Sequence, residues 1–98
     1  MSKRYWKAHV DDVQNTNVDS SDEEYLLDVF CRQMKELATT LARKAWFDLA
    51  DFKQSHEIGC SEYKLTMEKY TGAGAEQWEG LFEGPNCSLR VFGTLEKD

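Results

Sequence analysis

Proline occurs once in this 98-residue chain, at Pro85, and neither proline nor glycine interrupts residues 21 to 54. Nothing in that stretch therefore breaks a helix. Cysteine is scarce: Cys31, Cys60 and Cys87 are odd in number and widely spaced, which argues against a disulfide framework and for a reducing cytoplasm. Cys31 and Cys87 fall among apolar residues and read as small core side chains. No apolar run is long enough to span a membrane, and the opening MSKRYWKAHVDD has no apolar signal region. The expectation is a cytoplasmic protein that neither crosses nor binds a membrane. Only two histidines are present, His9 and His56. His56 and Cys60 form one H-x-x-x-C pair, but a zinc site would still need ligands as distant as His9 and Cys87. No metal or cofactor is expected. No cysteine has an adjacent base, and no pair of carboxylates stands apart for acid–base work, so the chain reads as a non-enzyme.

Bases are missing altogether from residues 11 to 28, which hold seven of the eighteen acids: Asp11, Asp12, Asp19, Asp22, Glu23, Glu24 and Asp28. The eleven acids elsewhere face twelve bases, so the net charge of −6 originates in this one segment. Such a segment repels phosphate backbones and attracts a basic partner. The same acids also suit the start of a helix, where the dipole favours negative charge. The mixture Lys3-Arg4-Tyr5-Trp6-Lys7 could stack on single-stranded nucleic acid, but an edge strand guarded by lysine accounts for it in an acidic chain.

What is present points to one α+β domain spanning 1–98. With 41% hydrophobic residues and twelve aromatics the chain can build a core, burying about 60–65% of its unfolded surface. Leu26, Phe30, Met34, Leu37, Leu41, Ala45, Leu49 and Phe52 recur at steps of three and four, predicting one long helix over 21–54. Leu27, Cys31, Ala38, Ala42 and Trp46 widen its apolar stripe beyond a coiled-coil seam. Ser20 with Glu23, and Ser21 with Glu24, each fit a capping box, and the same run fits an acidophilic kinase site. His56 to Gly59 is the expected helix stop.

Residues 3–10 alternate as a half-buried strand, and 11–20 (DDVQNTNVDS) read as a polar loop that fails the calcium-loop pattern at its glycine and glutamate positions. Glu62 to Tyr70 alternates as a strand, then Thr71 to Gly74 reads as a loop whose lone Gly-x-Gly is no phosphate cradle. Ala75 to Glu83 fits a helix or a strand; Gly80 favours the strand, with Gly84-Pro85-Asn86 as a hairpin turn. Cys87 to Leu95 places Cys87, Leu89, Val91 and Leu95 on one face. The expected architecture is one long helix packed on an antiparallel sheet of 3–4 strands in β-α-β-β-β order. In topology alone it is similar to the cystatin-like arrangement.

The function these features favour is a small, acidic, regulatory interaction protein, of inhibitor or immunity type, that binds a basic protein. Asp11, Asp12, Asp19, Asp22, Glu23 and Glu24 are the expected binding acids, with Tyr5, Tyr70 and Trp78 as aromatic anchors. The alternative is a small-ligand pocket between helix and sheet, lined by Trp46, Phe30, Met34, Met67 and Phe92. A homodimer through a free edge strand is a third expectation.

Overall fold

A computed structural model describes residues 6–43, 53–58, 61–71 and 76–97. Strand β1 (Trp6–Thr16) leads into helix α1 (Ser20–Arg43), followed by β2 (Lys53–Ile58), β3 (Ser61–Thr71), β4 (Glu76–Glu83) and β5 (Ser88–Lys97). The strands form one five-stranded sheet in the order β1-β5-β4-β3-β2, every neighbouring pair antiparallel. Helix α1 lies on one face, over β1, β5 and β4. This is the expected α+β architecture, with a sheet slightly larger than the 3–4 strands anticipated.

The extra strand arises where the sequence reading extended the helix too far. Lys53 and Gln54 belong to β2, and so does His56, which was expected to end the helix. Residues 44–52 (Trp46 among them), Gly59, Cys60 and residues 72–75 lie outside the described residues, as do the side chains of Leu41 and Ala42. The expected polar loop at 11–20 is also corrected: Asp11 to Thr16 continue β1, past a bulge between Val10 and Asp12. A bulge inserts one residue and resets the alternation, so a polar edge strand of this kind hides its period.

The turn between β1 and α1 is built by one side chain. Asn15 Oδ1 accepts from the Val18 N–H at 2.8 Å, while its Nδ2 donates to Val18 C=O at 2.9 Å and to Glu23 Oε1 at 3.2 Å. Asn17 takes the left-handed conformation (φ 63°) that asparagine tolerates. The Glu23 N–H donates to the Asp19 carbonyl at 2.8 Å, which makes Asp19 the cap residue. Ser20 and Ser21 therefore sit inside the first turn, one and two places beyond the cap position that their capping boxes required.

The core follows from alternation on the sheet and the 3.6 period on α1. Leu26, Val29, Phe30, Met34, Leu37 and Ala38 of α1 are buried against Tyr63, Leu65, Met67, Trp78, Phe82, Leu89, Val91 and Leu95. The segment that fitted helix or strand is a strand, β4, with Trp78, Gly80 and Phe82 all inward. Two glycines admit the largest buried side chain of α1. A Cβ at Gly80 would stand 2.5 Å from Phe30 Cδ1, and one at Gly93 would stand 2.6 Å from Phe30 Cε2. The Phe30 ring thus rests on bare backbone of β4 and β5. The β4–β5 hairpin closes with the Gly84 N–H donating to the Cys87 carbonyl at 2.9 Å.

Candidate interaction surface

With α1 on one face, alternation leaves the other face of the sheet uncovered by it. Three rows of cross-strand neighbours define the middle of this outer face. They are His9–Thr94–Gln77–Tyr70, Asp12–Phe92–Glu79–Glu68 and Gln14–Arg90–Leu81–Thr66. Phe92 and Leu81 occupy diagonal positions on adjacent strands, both half-buried, and so form a small apolar floor. Tyr70, 46% exposed, lies on the neighbouring row opposite Gln77.

Glu68 and Glu79 are directly opposed across β3 and β4, an unfavourable placement of like charges. Each has a local partner. Arg90 Nη1 lies 3.8 Å from Glu79 Oε1, and the Tyr70 hydroxyl donates to Glu68 Oε2 at 2.8 Å. That hydrogen bond to the Glu68 carboxylate is the main reason the Tyr70 phenol is raised above its ordinary pKa; burial and the Glu79 charge add to it, and Arg90 opposes. Around this centre, among the described side chains, the outward positions also carry Glu57, Glu62, Glu83 and Glu96 against Lys7 and Lys64, an acidic balance.

The acids singled out in the sequence are distributed rather than gathered. Asp11, at the bulge, accepts from the Thr94 hydroxyl, and Asp12 faces outward opposite Phe92. From Asp12 to Thr16 the strand runs about 13 Å before the helix begins. At the helix start, Asp22 accepts from the Tyr63 hydroxyl at 3.1 Å and Glu23 accepts from Asn15, so both are half-buried in internal bonds. Asp19 and Glu24 are exposed, and Asp28 pairs with Arg32 at 3.2 Å. Of the expected aromatic anchors, Tyr70 is on the outer face and Tyr5 lies outside the described residues. Trp78 is corrected: at 1% exposure it is core, with its indole N–H 3.3 Å from Glu76 Oε2.

The lining expected for a ligand pocket is corrected as well. Phe30, Met34 and Met67 are buried together, but Phe92 is on the opposite face of the sheet. Sequence reasoning missed Glu68, Glu79, Leu81, Arg90 and Phe92 as neighbours. Strand parity was the available signal: if Leu89, Val91 and Leu95 point inward, Arg90 and Phe92 must point outward.

Other reactive groups are muted. Burial raises the Cys31 thiol, Asp28 adding and Lys35 opposing, so it stays protonated at neutral pH. Burial, with a contribution from Arg32, lowers His56, whose ring meets Phe82 edge-on at 6.4 Å. Among the described residues, no group of three or more His, Cys, Asp or Glu is placed to hold a metal ion. Nor, among them, is any helix long and apolar enough to cross a membrane. No protein-family model, curated protein or solved structure matches this chain.

Proposed function

We propose that this chain is a small, acidic, non-enzymatic interaction protein of the cytoplasm, of inhibitor or immunity type. It offers the uncovered sheet face to a protein with a basic surface. The observation that carries the reading is the diagonal placement of Phe92 and Leu81 on that face, beside the opposed carboxylates of Glu68 and Glu79, with Tyr70 on the far side of those carboxylates from Leu81. An apolar floor supplies area to bury, a tyrosine supplies a rigid amphipathic anchor, and surrounding carboxylates set the sign of the partner. A lysine or arginine arriving over Glu68 would relieve the repulsion that Tyr70 and Arg90 now only moderate. Association driven this way is fast and weakened by salt.

The test uses the intact chain as bait at low and high salt, beside two charge-reversed forms. Glu68→Lys with Glu83→Lys alters the outer face; Asp19→Lys with Glu24→Lys alters only the helix start. A partner that binds through the outer face associates about tenfold more slowly with the first form and normally with the second. A partner indifferent to both salt and the first form refutes the proposal.

A further inference from the structure

We infer that two copies of this chain pair antiparallel through β1, about a two-fold axis at His9, joining their sheets into one. Among the described residues, β1 is an edge strand of eleven residues whose ladder runs to β5, and it contains no glycine or proline. A long edge presents a row of unpaired N–H and C=O groups that template another strand. The opposite edge, β2, offers only six residues.

Charge along β1 selects both the occupant and the register. Lys7 lies on the outer face in the first half of the strand, and the two aspartates lie in the second half. The bulge turns both carboxylates outward: Asp12 opposes Phe92, and Asp11 accepts from Thr94, an outward residue of β5. Antiparallel pairing centred on His9 sets Lys7 of each copy against the Asp11–Asp12 pair of the other, twice by symmetry. Centring on Lys7 would oppose two lysines, and centring on Asp11 would oppose two carboxylates. Moving the axis to Ala8 would set Lys7 against His9 of the other copy, and moving it to Val10 would carry Lys7 past both aspartates.

On the inner side the same register faces Ala8 with Val10 of the second copy. Val10 is 37% exposed despite pointing to the helical face. Asp22 reaches β3, so Leu27 and Cys31, about half a turn round α1, lie on the flank above β1. Both are half-buried and extend the apolar strip that a second copy would cover.

Sedimentation velocity of the full chain, from low micromolar to sub-millimolar concentration, tests the pairing. The expected species has twice the 11.4 kDa chain mass. Lys7→Glu raises the dimer dissociation constant about tenfold by placing acid against acid. Combining Lys7→Glu with Asp12→Lys restores it, while circular dichroism shows each form folded. A monomer at every concentration overturns the inference. So does a dimer insensitive to Lys7→Glu, or a swap that fails to restore one that Lys7→Glu weakened.

Discussion

Gly80→Ala and Gly93→Ala should each destabilise the fold, against the usual sign for glycine in a strand. Alanine is ordinarily favoured over glycine inside regular structure by about 0.5–1 kcal/mol, because glycine loses more backbone freedom on folding. Here the new methyl has nowhere to go. At Gly80 it meets Phe30 Cδ1 at 2.5 Å, Phe30 Cε1 at 2.8 Å and Met67 Sδ at 3.2 Å. At Gly93 it meets Phe30 Cε2 at 2.6 Å, the His9 carbonyl oxygen at 2.8 Å and Met34 Cε at 3.1 Å. Overpacking of this kind costs about 1–3 kcal/mol. A loss near 2 kcal/mol lowers the melting temperature of a domain this size by about 8–16 °C. Phe30→Leu separates the two sites. All of the crowding at Gly80 comes from side chains, so Gly80→Ala in the Phe30→Leu background becomes nearly neutral, a coupling of about 1–2 kcal/mol. Gly93→Ala keeps part of its penalty there, because the His9 carbonyl belongs to the β1 backbone. Thermal and urea unfolding of the five forms, followed by circular dichroism, measures all of this. Glycine-to-alanine changes that stabilise, or that simply add to Phe30→Leu, would refute the packing argument.

Three further outcomes are expected. Burial, with hydrogen bonds to Cys87 and Asp22, pushes the Tyr63 phenol up to about 12 from an ordinary value of 10.0. Its contribution to stability is therefore complete below pH 10 and lost as pH rises toward 12, so ultraviolet titration should show a late tyrosinate near pH 12 that Tyr63→Phe removes. Asn15→Ala removes both hydrogen bonds to Val18 and the one to Glu23, costing about 1–2 kcal/mol in urea unfolding. At the left-handed Asn17, Asn17→Val costs about 1–2 kcal/mol while Asn17→Gly stays near neutral, and equal effects would contradict the turn geometry.

Strands β3, β4 and β5 and the first half of α1 were legible because each buries one face, and burial writes a period into the sequence. Tyr63, Leu65 and Met67, then Leu89, Val91 and Leu95, repeat every second residue and are all buried. The first half of β1 was read from its alternation, but β2 and the second half of β1 were not legible, for the converse reason. Strand β2, KQSHEI, has a single aliphatic residue, Ile58, and was absorbed into the helix and its stop. The second half of β1 has only Val13 turned to the core, and the bulge at Asp11 shifts its parity. The helix start was placed within one residue, since Asp19, Ser20 and Ser21 are all competent caps and composition does not rank them. The acidic segment was visible as a charge excess. That Asp22 and Glu23 are tied to Tyr63 and Asn15 depends on contacts across the fold, at separations no local pattern reports.

The outer face carries a cost that the fold alone does not explain. Glu68, exposed, and Glu79, half-buried, oppose each other on the outer face of the sheet. Cross-strand pairs of like charge are unfavourable by an amount comparable to the 0.2–1 kcal/mol by which opposite charges help, so Glu68→Lys should remove repulsion and add attraction. Its loss is the exposed hydrogen bond from Tyr70, and solvent replaces that bond readily. The net expectation is a variant stabler by roughly 0.5–1 kcal/mol, with a melting temperature about 2–8 °C higher. A surface that gains stability so simply, if partner association weakens with it, is one where recognition outweighs stability. If Glu68→Lys instead unfolds more easily, the carboxylate supports the sheet, and the reason for assigning this face to a partner disappears.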